Sequence, residues 1–297
     1  MNRDHQLILN FRQVDPEAKL GLPTGRHTTP SLVTSLFGGV LLMLLVVAAG
    51  LVIRRQTGDA GSDAIRLYIW DLIMGYKGLA PAMVFLACWS FSFLCIKMLK
   101  IRAQRRALEL RLMPTDPGFV LTAATSQKVL QAIEAGVEDA GRFLYLKRIV
   151  SSLRSMRNVG RVADVDDMLQ SAAANDQSIL ESGYTMLKGF VWAIPVLGFI
   201  GTVLGLSDSM RSFNQALAPA ASGQSADVKM VTQGLVKVLQ GLDVAFVTTG
   251  EALILVFIIH LIHVFVRDAD EALLDDAREE AHEQIGARVR LDQVRVP

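Results

Sequence analysis

Apolar residues along this chain gather into four long runs, separated by mixed or polar stretches. The run at 32–53 carries no charge. The run at 79–96 is shorter and has Pro81 in its first turn, where a missing N–H costs little. The runs at 186–206 and 242–266 hold a few polar groups among apolar ones. About 20 residues rising ~1.5 Å each cross a hydrocarbon core of ~30 Å, so each run predicts a membrane helix. Between the second and third spans the pattern changes to helical spacing: Phe143, Leu146, Ile149, Val150 and Leu153, then Val165, Met168, Leu169, Ile179 and Leu180. The tail from 267 continues the same way. The expected fold is therefore all-α, with four transmembrane helices and long helical extensions into the cytoplasm.

The same pattern gives the domain boundaries. Residues 1–31 form a polar N-terminal segment, 32–96 a transmembrane hairpin and 97–185 a helical region. Residues 186–266 form a paired-span core, and 267–297 a C-terminal helix. The block MPTDPGF at 113–119 predicts a break. A loop is expected at 207–241, with a small, polar, mobile stretch at 218–228.

Composition adds the class. The chain is 297 residues long and 51% hydrophobic, too apolar for an ordinary soluble domain. A formal net charge of +1 says nothing about partners, but the distribution does. Fourteen of the thirty Lys and Arg lie in 97–188, and six of those crowd into 97–111 (KMLKIRAQRRALELR), directly behind the second span. The positive-inside rule places that segment in the cytoplasm, and four spans then place both termini there. Arg54 and Arg55 run against the rule, and the larger cluster decides. The basic run reads as a topology signal or a contact to anionic lipid, not as a nucleic-acid site. No cleavable signal peptide is apparent in the polar first thirty residues, so the first span is expected to be an uncleaved anchor. Cys88 and Cys95 are seven residues apart, two helical turns, and read as buried free thiols. No nucleophile elbow, phosphate loop or metal-ligand spacing occurs, so neither an enzyme nor a cofactor or metal is expected.

Polar groups at membrane depth are costly and mark ion paths or helix contacts. Thr202 lies five residues from the outer end of the third span and Thr248 six from that of the fourth, so the two hydroxyls share a depth. Each either bonds its own i−4 carbonyl or joins a polar belt. Asp243 stands at the outer rim of the fourth span. Glu251 is eight residues deeper, near the midplane. At about 100° per residue it falls about 80° from Asp243, with Thr248 at about 140°, so the three share one side. Glu251 is either a packing acid or a proton-carrying one. His260 and His263 are either a relay or headgroup-level residues. Gly198, Gly201 and Gly205, with Pro195 above them, predict close helix packing, Gly201 and Gly205 forming a GxxxG. Trp70, Trp89 and Trp192 read as anchors or packing residues.

The segments IPVLGFIGTVLGL (194–206), SMRSFNQAL (209–217) and GLDVAFVTTGEAL (241–253) resemble the MotA/TolQ/ExbB proton-channel family. The resemblance puts Thr202 and Thr248 on the two family threonines and Asp243 on the acid five residues before the second. It implies an ion channel and motor stator subunit in a bacterial inner membrane, most simply for protons. It also implies a homopentamer around two copies of a single-span MotB/TolR/ExbD-like partner that carries a membrane aspartate. Ion flow would then drive rotation. Two positions depart from the family pattern: Glu251 stands where a small or aliphatic residue is expected, and Ile258 to His260 where many relatives have a proline. The expected ion pathway is thus Thr202, Thr248, Asp243 and Glu251. The alternative is a membrane scaffold of the same fold that conducts nothing.

Overall fold

The computed structural model describes residues 9–55, 70, 73–75, 78–110, 121, 123–155, 162–221 and 228–285. In chain order the elements are β1 (Leu9–Asn10), α1 (Phe11–Val14), α2 (Pro16–Lys19), α3 (Leu32–Arg55), α4 (Leu79–Leu108), α5 (Ala123–Gly136) and β2 (Val137–Glu138). A 3-10 turn (Ala140–Arg142), α6 (Leu144–Ser155), α7 (Val162–Gly183), α8 (Thr185–Ala221) and α9 (Val228–Gln284) follow. The protein is nearly all-α, and four helical stretches are long and apolar enough to span a membrane. One short parallel pairing joins Leu9 with Val137 and Asn10 with Glu138 among the described residues.

Two expectations change. The stretch read as a loop at 207–241 is helical on both sides, because α8 continues to Ala221 and α9 begins at Val228. Small residues explain this. Gly234 abuts Ala216, Gly241 abuts Ser209, and the Ser209 hydroxyl reaches the Val238 carbonyl at 2.9 Å. The two helices therefore stay paired well past the apolar runs. Cys95, expected to be buried, is exposed, whereas Cys88 is buried. Both are free thiols, and Cys88 is covered where it lines the groove with α3 and α9 residues. The predicted break at 113–119 and the tip at 222–227 lie outside the described residues.

Contacts divide the chain into two compact units. One gathers Met1–Ser35, Leu94–Thr185 and Val264–Pro297. Its core holds Phe143 and the apolar face of α6 (Leu146, Ile149 and Leu153) together with Leu169, Leu180, Leu273, Ala277 and Ala281. The amphipathic spacing predicted for α6 is the reason these side chains meet. The N-terminal segment is a built part of this unit. Asp15 caps α2, accepting from the Glu17 and Ala18 N–H groups at 2.9 and 3.0 Å, with Pro16 preset at the first helical position.

That unit also buries a set of charges. On α4, Lys97, Lys100, Gln104 and Ala107 form a stripe at i, i+3, i+7 and i+10, and all four are buried. Lys100 Nζ sits 2.6 Å from Glu17 Oε2 and 3.6 Å from Asp15 Oδ2. The Glu17 carboxylate accepts from the N–H groups of Gly25 (2.8 Å) and Ser31 (2.7 Å) and from Thr34 Oγ1 (2.7 Å). Lys97 Nζ lies 2.8 Å from Asp270 Oδ2 and 4.3 Å from the centre of the Tyr184 ring, whose hydroxyl donates to the same carboxylate at 3.2 Å. Gln104 donates to the Arg142 carbonyl and accepts from the Leu144 N–H. The α4 stripe thus fastens the N-terminal segment, the start of α6, the turn before α8 and the last third of α9. Burial alone would push the Glu17 carboxyl up. The hydrogen bonds from Lys100, Thr34 and the Gly25 N–H, with the Lys100 charge, outweigh it and hold the group below its ordinary value.

The second unit gathers Leu36–Phe93 and Met186–His263. It contains segments of all four apolar helices. Gly39 of α3 lies against the backbone of Trp89 on α4, where any Cβ would collide, so these two helices cross at close range. Trp89 also packs on Phe85 and Phe190, at ring separations of 5.8 and 4.7 Å. Trp192 is 71% exposed, the placement of an anchor and not of a packing residue.

Candidate ion pathway and its surroundings

The antiparallel pairing of α8 and α9 is built on three glycines of the third span, Gly198, Gly201 and Gly205. A Cβ on Gly198 would meet Ala252 at 2.5 Å, one on Gly201 would run into the Thr248 side chain, and one on Gly205 would lie 2.5 Å from the Gly241 carbonyl. Small residues on both sides let the backbones approach, which is how helices associate where lipid supplies no hydrophobic drive. The glycines face the helix of their own chain. Pro195 lies one turn before Gly198 within α8, which runs unbroken from Thr185 to Ala221.

Thr248 sits in this seam. It is buried, and its hydroxyl donates to the Val244 carbonyl at 2.9 Å. Thr202, one residue beyond the glycine that Thr248 abuts, is half-buried and donates to the Phe199 carbonyl at 2.6 Å. Each hydroxyl therefore bonds its own helix, and each keeps lone pairs that can accept. Asp243 is exposed. Around Thr202 and Asp243 lies an uncovered apolar face made of Phe199, Val203, Leu206, Leu239 and Phe246.

Glu251 is elsewhere on α9. It lines an open groove of about 700 Å³ with Leu42 and Val46 of α3, Val84 and Cys88 of α4, and Ile254. Glu251 is 6% exposed, and its Oε1 has no hydrogen-bond partner among the described residues. The side shared with Thr248 in the helical-wheel estimate is divided in the fold: Thr248 meets α8, while Glu251 looks into the groove beside α3 and α4. His260 and His263 sit with ring centres 6.2 Å apart, His263 buried and His260 exposed.

Among the described residues no cluster of three or more His, Cys, Asp or Glu has the arrangement of a metal site. What sequence reasoning missed is the buried charge set of Lys97, Lys100, Glu17, Tyr184 and Asp270. Its signal was available as two lysines three residues apart, continued by Gln104 and Ala107 on one helix stripe.

Residues 145–278, which include the α8–α9 seam, match the MotA/TolQ/ExbB proton channel family. No curated protein and no solved structure matches the chain.

Proposed function

We propose that this chain, whose residues 145–278 match the MotA/TolQ/ExbB proton channel family, is the ion-conducting subunit of a membrane motor. In this reading five copies surround two copies of a single-span MotB/TolR/ExbD-like partner in the bacterial inner membrane, with both termini in the cytoplasm. Protons cross at the contact between ring and partner, and their flow does mechanical work. The observation that carries the reading is the α8–α9 hairpin. Its seam lies inside the family match, closes through Gly198, Gly201 and Gly205, and seats Thr248.

Thr202 and Thr248 offer the acceptor oxygens of the path, and Asp243 stands at its outer entrance. A hydroxyl already donating to a carbonyl can still accept from a passing hydrated proton or from a partner acid. Glu251 faces the groove beside α3 and α4 and not this seam. The uncovered apolar face beside Thr202 fits a neighbouring copy or the partner helix, because a lone chain would leave it to lipid.

The second reading, a non-conducting scaffold, is favoured by one specific observation: both threonine hydroxyls are bonded within their own helices. Stoichiometry tests the assembly. Native mass spectrometry of the protein co-expressed with its single-span neighbour should give five copies with two partners. A monomer or dimer as the sole species would overturn the proposal.

A further inference from the structure

The groove at Glu251 lies apart from the α8–α9 seam proposed for ion conduction. Its described walls are apolar, come from α3, α4 and α9 with Ile73 beside them, and carry one acid, Glu251, among the described residues. Rim residues Phe91, Phe246, Ile254 and Ile258 are exposed, so it opens sideways to whatever surrounds these helices. A span starting at Leu242 puts Glu251 about 14 Å from the outer edge of a ~30 Å core, close to its middle. Around such a groove the solvent is acyl chain. A carboxyl oxygen with no partner there is strongly disfavoured, and an occupant of the groove can supply the missing contact.

Depth and chemistry select the occupant. A phospholipid headgroup is held at the interface and can send only a hydrocarbon tail to the midplane, and a tail has no donor. A cationic amine would have to be desolvated together with its counter-charge, which low dielectric makes unfavourable. A hydroxyl suits the carboxyl in either form: it donates to an ionised oxygen, and it both donates to and accepts from a neutral acid. The space of about 700 Å³ falls inside the range of about 300–1,000 Å³ typical of small-molecule sites. We propose that this groove is a binding site for a neutral, hydroxyl-headed lipid, a long-chain alcohol or alkylphenol that enters from the bilayer and hydrogen-bonds Glu251 while its chain lies along α3 and α4. The site requires that the helices lie in a membrane; it does not require that the protein conduct ions.

The test uses the purified full-length oligomer in phosphatidylcholine nanodiscs. The probes are a 4-alkylphenol with a diazirine in its chain and the matching alkylbenzene without the hydroxyl, and photo-crosslinks are located by peptide mass spectrometry. The phenol should label the groove walls on α3, α4 and α9 at about fivefold lower concentration than the alkylbenzene, the difference one ordinary hydrogen bond supplies. Glu251→Gln, which still bonds a hydroxyl, should keep the preference. Glu251→Leu and Glu251→Ala should lose it while leaving the oligomer intact by native mass spectrometry. Equal labelling by the two probes would overturn the proposal. So would a preference that survives in both Leu and Ala variants, or absence of groove labelling because a second copy of the chain covers it. None of these readouts depends on ion flux, so a failure here is separate from a failure of the motor reading.

Discussion

Lys100 shows how much one side chain can organise. It is fully buried, yet its ammonium is matched by Glu17 and Asp15 from a segment more than eighty residues away. Removing Lys100 or Glu17 singly leaves buried charge under-compensated, which costs up to about 3–5 kcal/mol, whereas removing both costs less. Lys100→Met and Glu17→Gln should each lower the thermal midpoint of the detergent-solubilised protein sharply. The double variant should fall short of their sum by about 1–3 kcal/mol. Additive effects would mean that the pair is not coupled. Acid should act on the same site. The Glu17 carboxyl is held below its ordinary value near 4.5 in the folded state, so its contribution is complete above that pH and is lost as pH falls through the lower folded value. His27 acts earlier. Burial and then the nearby Lys147 charge hold its pKa below the ordinary 6.5, so the unfolded chain takes up a proton that the folded site resists. Its contribution is complete above about 6.5 and declines below it. A His27→Gln variant should therefore lose less stability than the native protein between pH 6.5 and 5. Identical pH profiles would remove His27 from the account.

Among the helices, apolar run length disclosed the four spans, because crossing lipid demands about 20 apolar residues and little else does. The continuation of α8 to Ala221 and of α9 back to Val228 was not legible. The residues there are polar and small, and what holds them helical is contact between two segments that meet only in the fold, Gly234 on Ala216 and Ser209 on the Val238 carbonyl. The charge stripe of α4 was hidden for the same reason, since Asp270 is 173 residues from Lys97 and nothing local announces the pairing. Thr202, Thr248 and the glycines could be picked out because their residue types are out of place in lipid. Which face each presents depended on neighbours, and so Glu251 could be found but not aimed. Two predictions belong at this scale. Gly201→Ala should destabilise the α8–α9 pairing by about 1–3 kcal/mol, since its new Cβ meets Thr248, and Thr248→Ala should recover part of the loss. A Gly201→Ala protein as stable as the native one would show that the seam is looser than described. In a background without native cysteines, Ser222→Cys should react with an impermeant maleimide from outside. The exposed Ser171→Cys should react only after the inner membrane is opened. The reverse pattern would invert the topology.

At the level of the molecule, one chain exposes apolar faces on α3, α8 and α9 that a bilayer, further copies and a partner helix can share. Channel function needs the α8–α9 seam to be placed where an ion passes, and this is the claim on which the account stands. The measurement is proton flux into liposomes containing the protein co-purified with the proposed single-span partner, compared with Thr202→Val/Thr248→Val. Valine keeps each side chain's shape and removes the hydroxyl. The account predicts flux that requires the partner in the native complex, and its loss in the double variant with the oligomer still assembled. Undiminished flux in the double variant, or none above empty liposomes in the native complex, would contradict it.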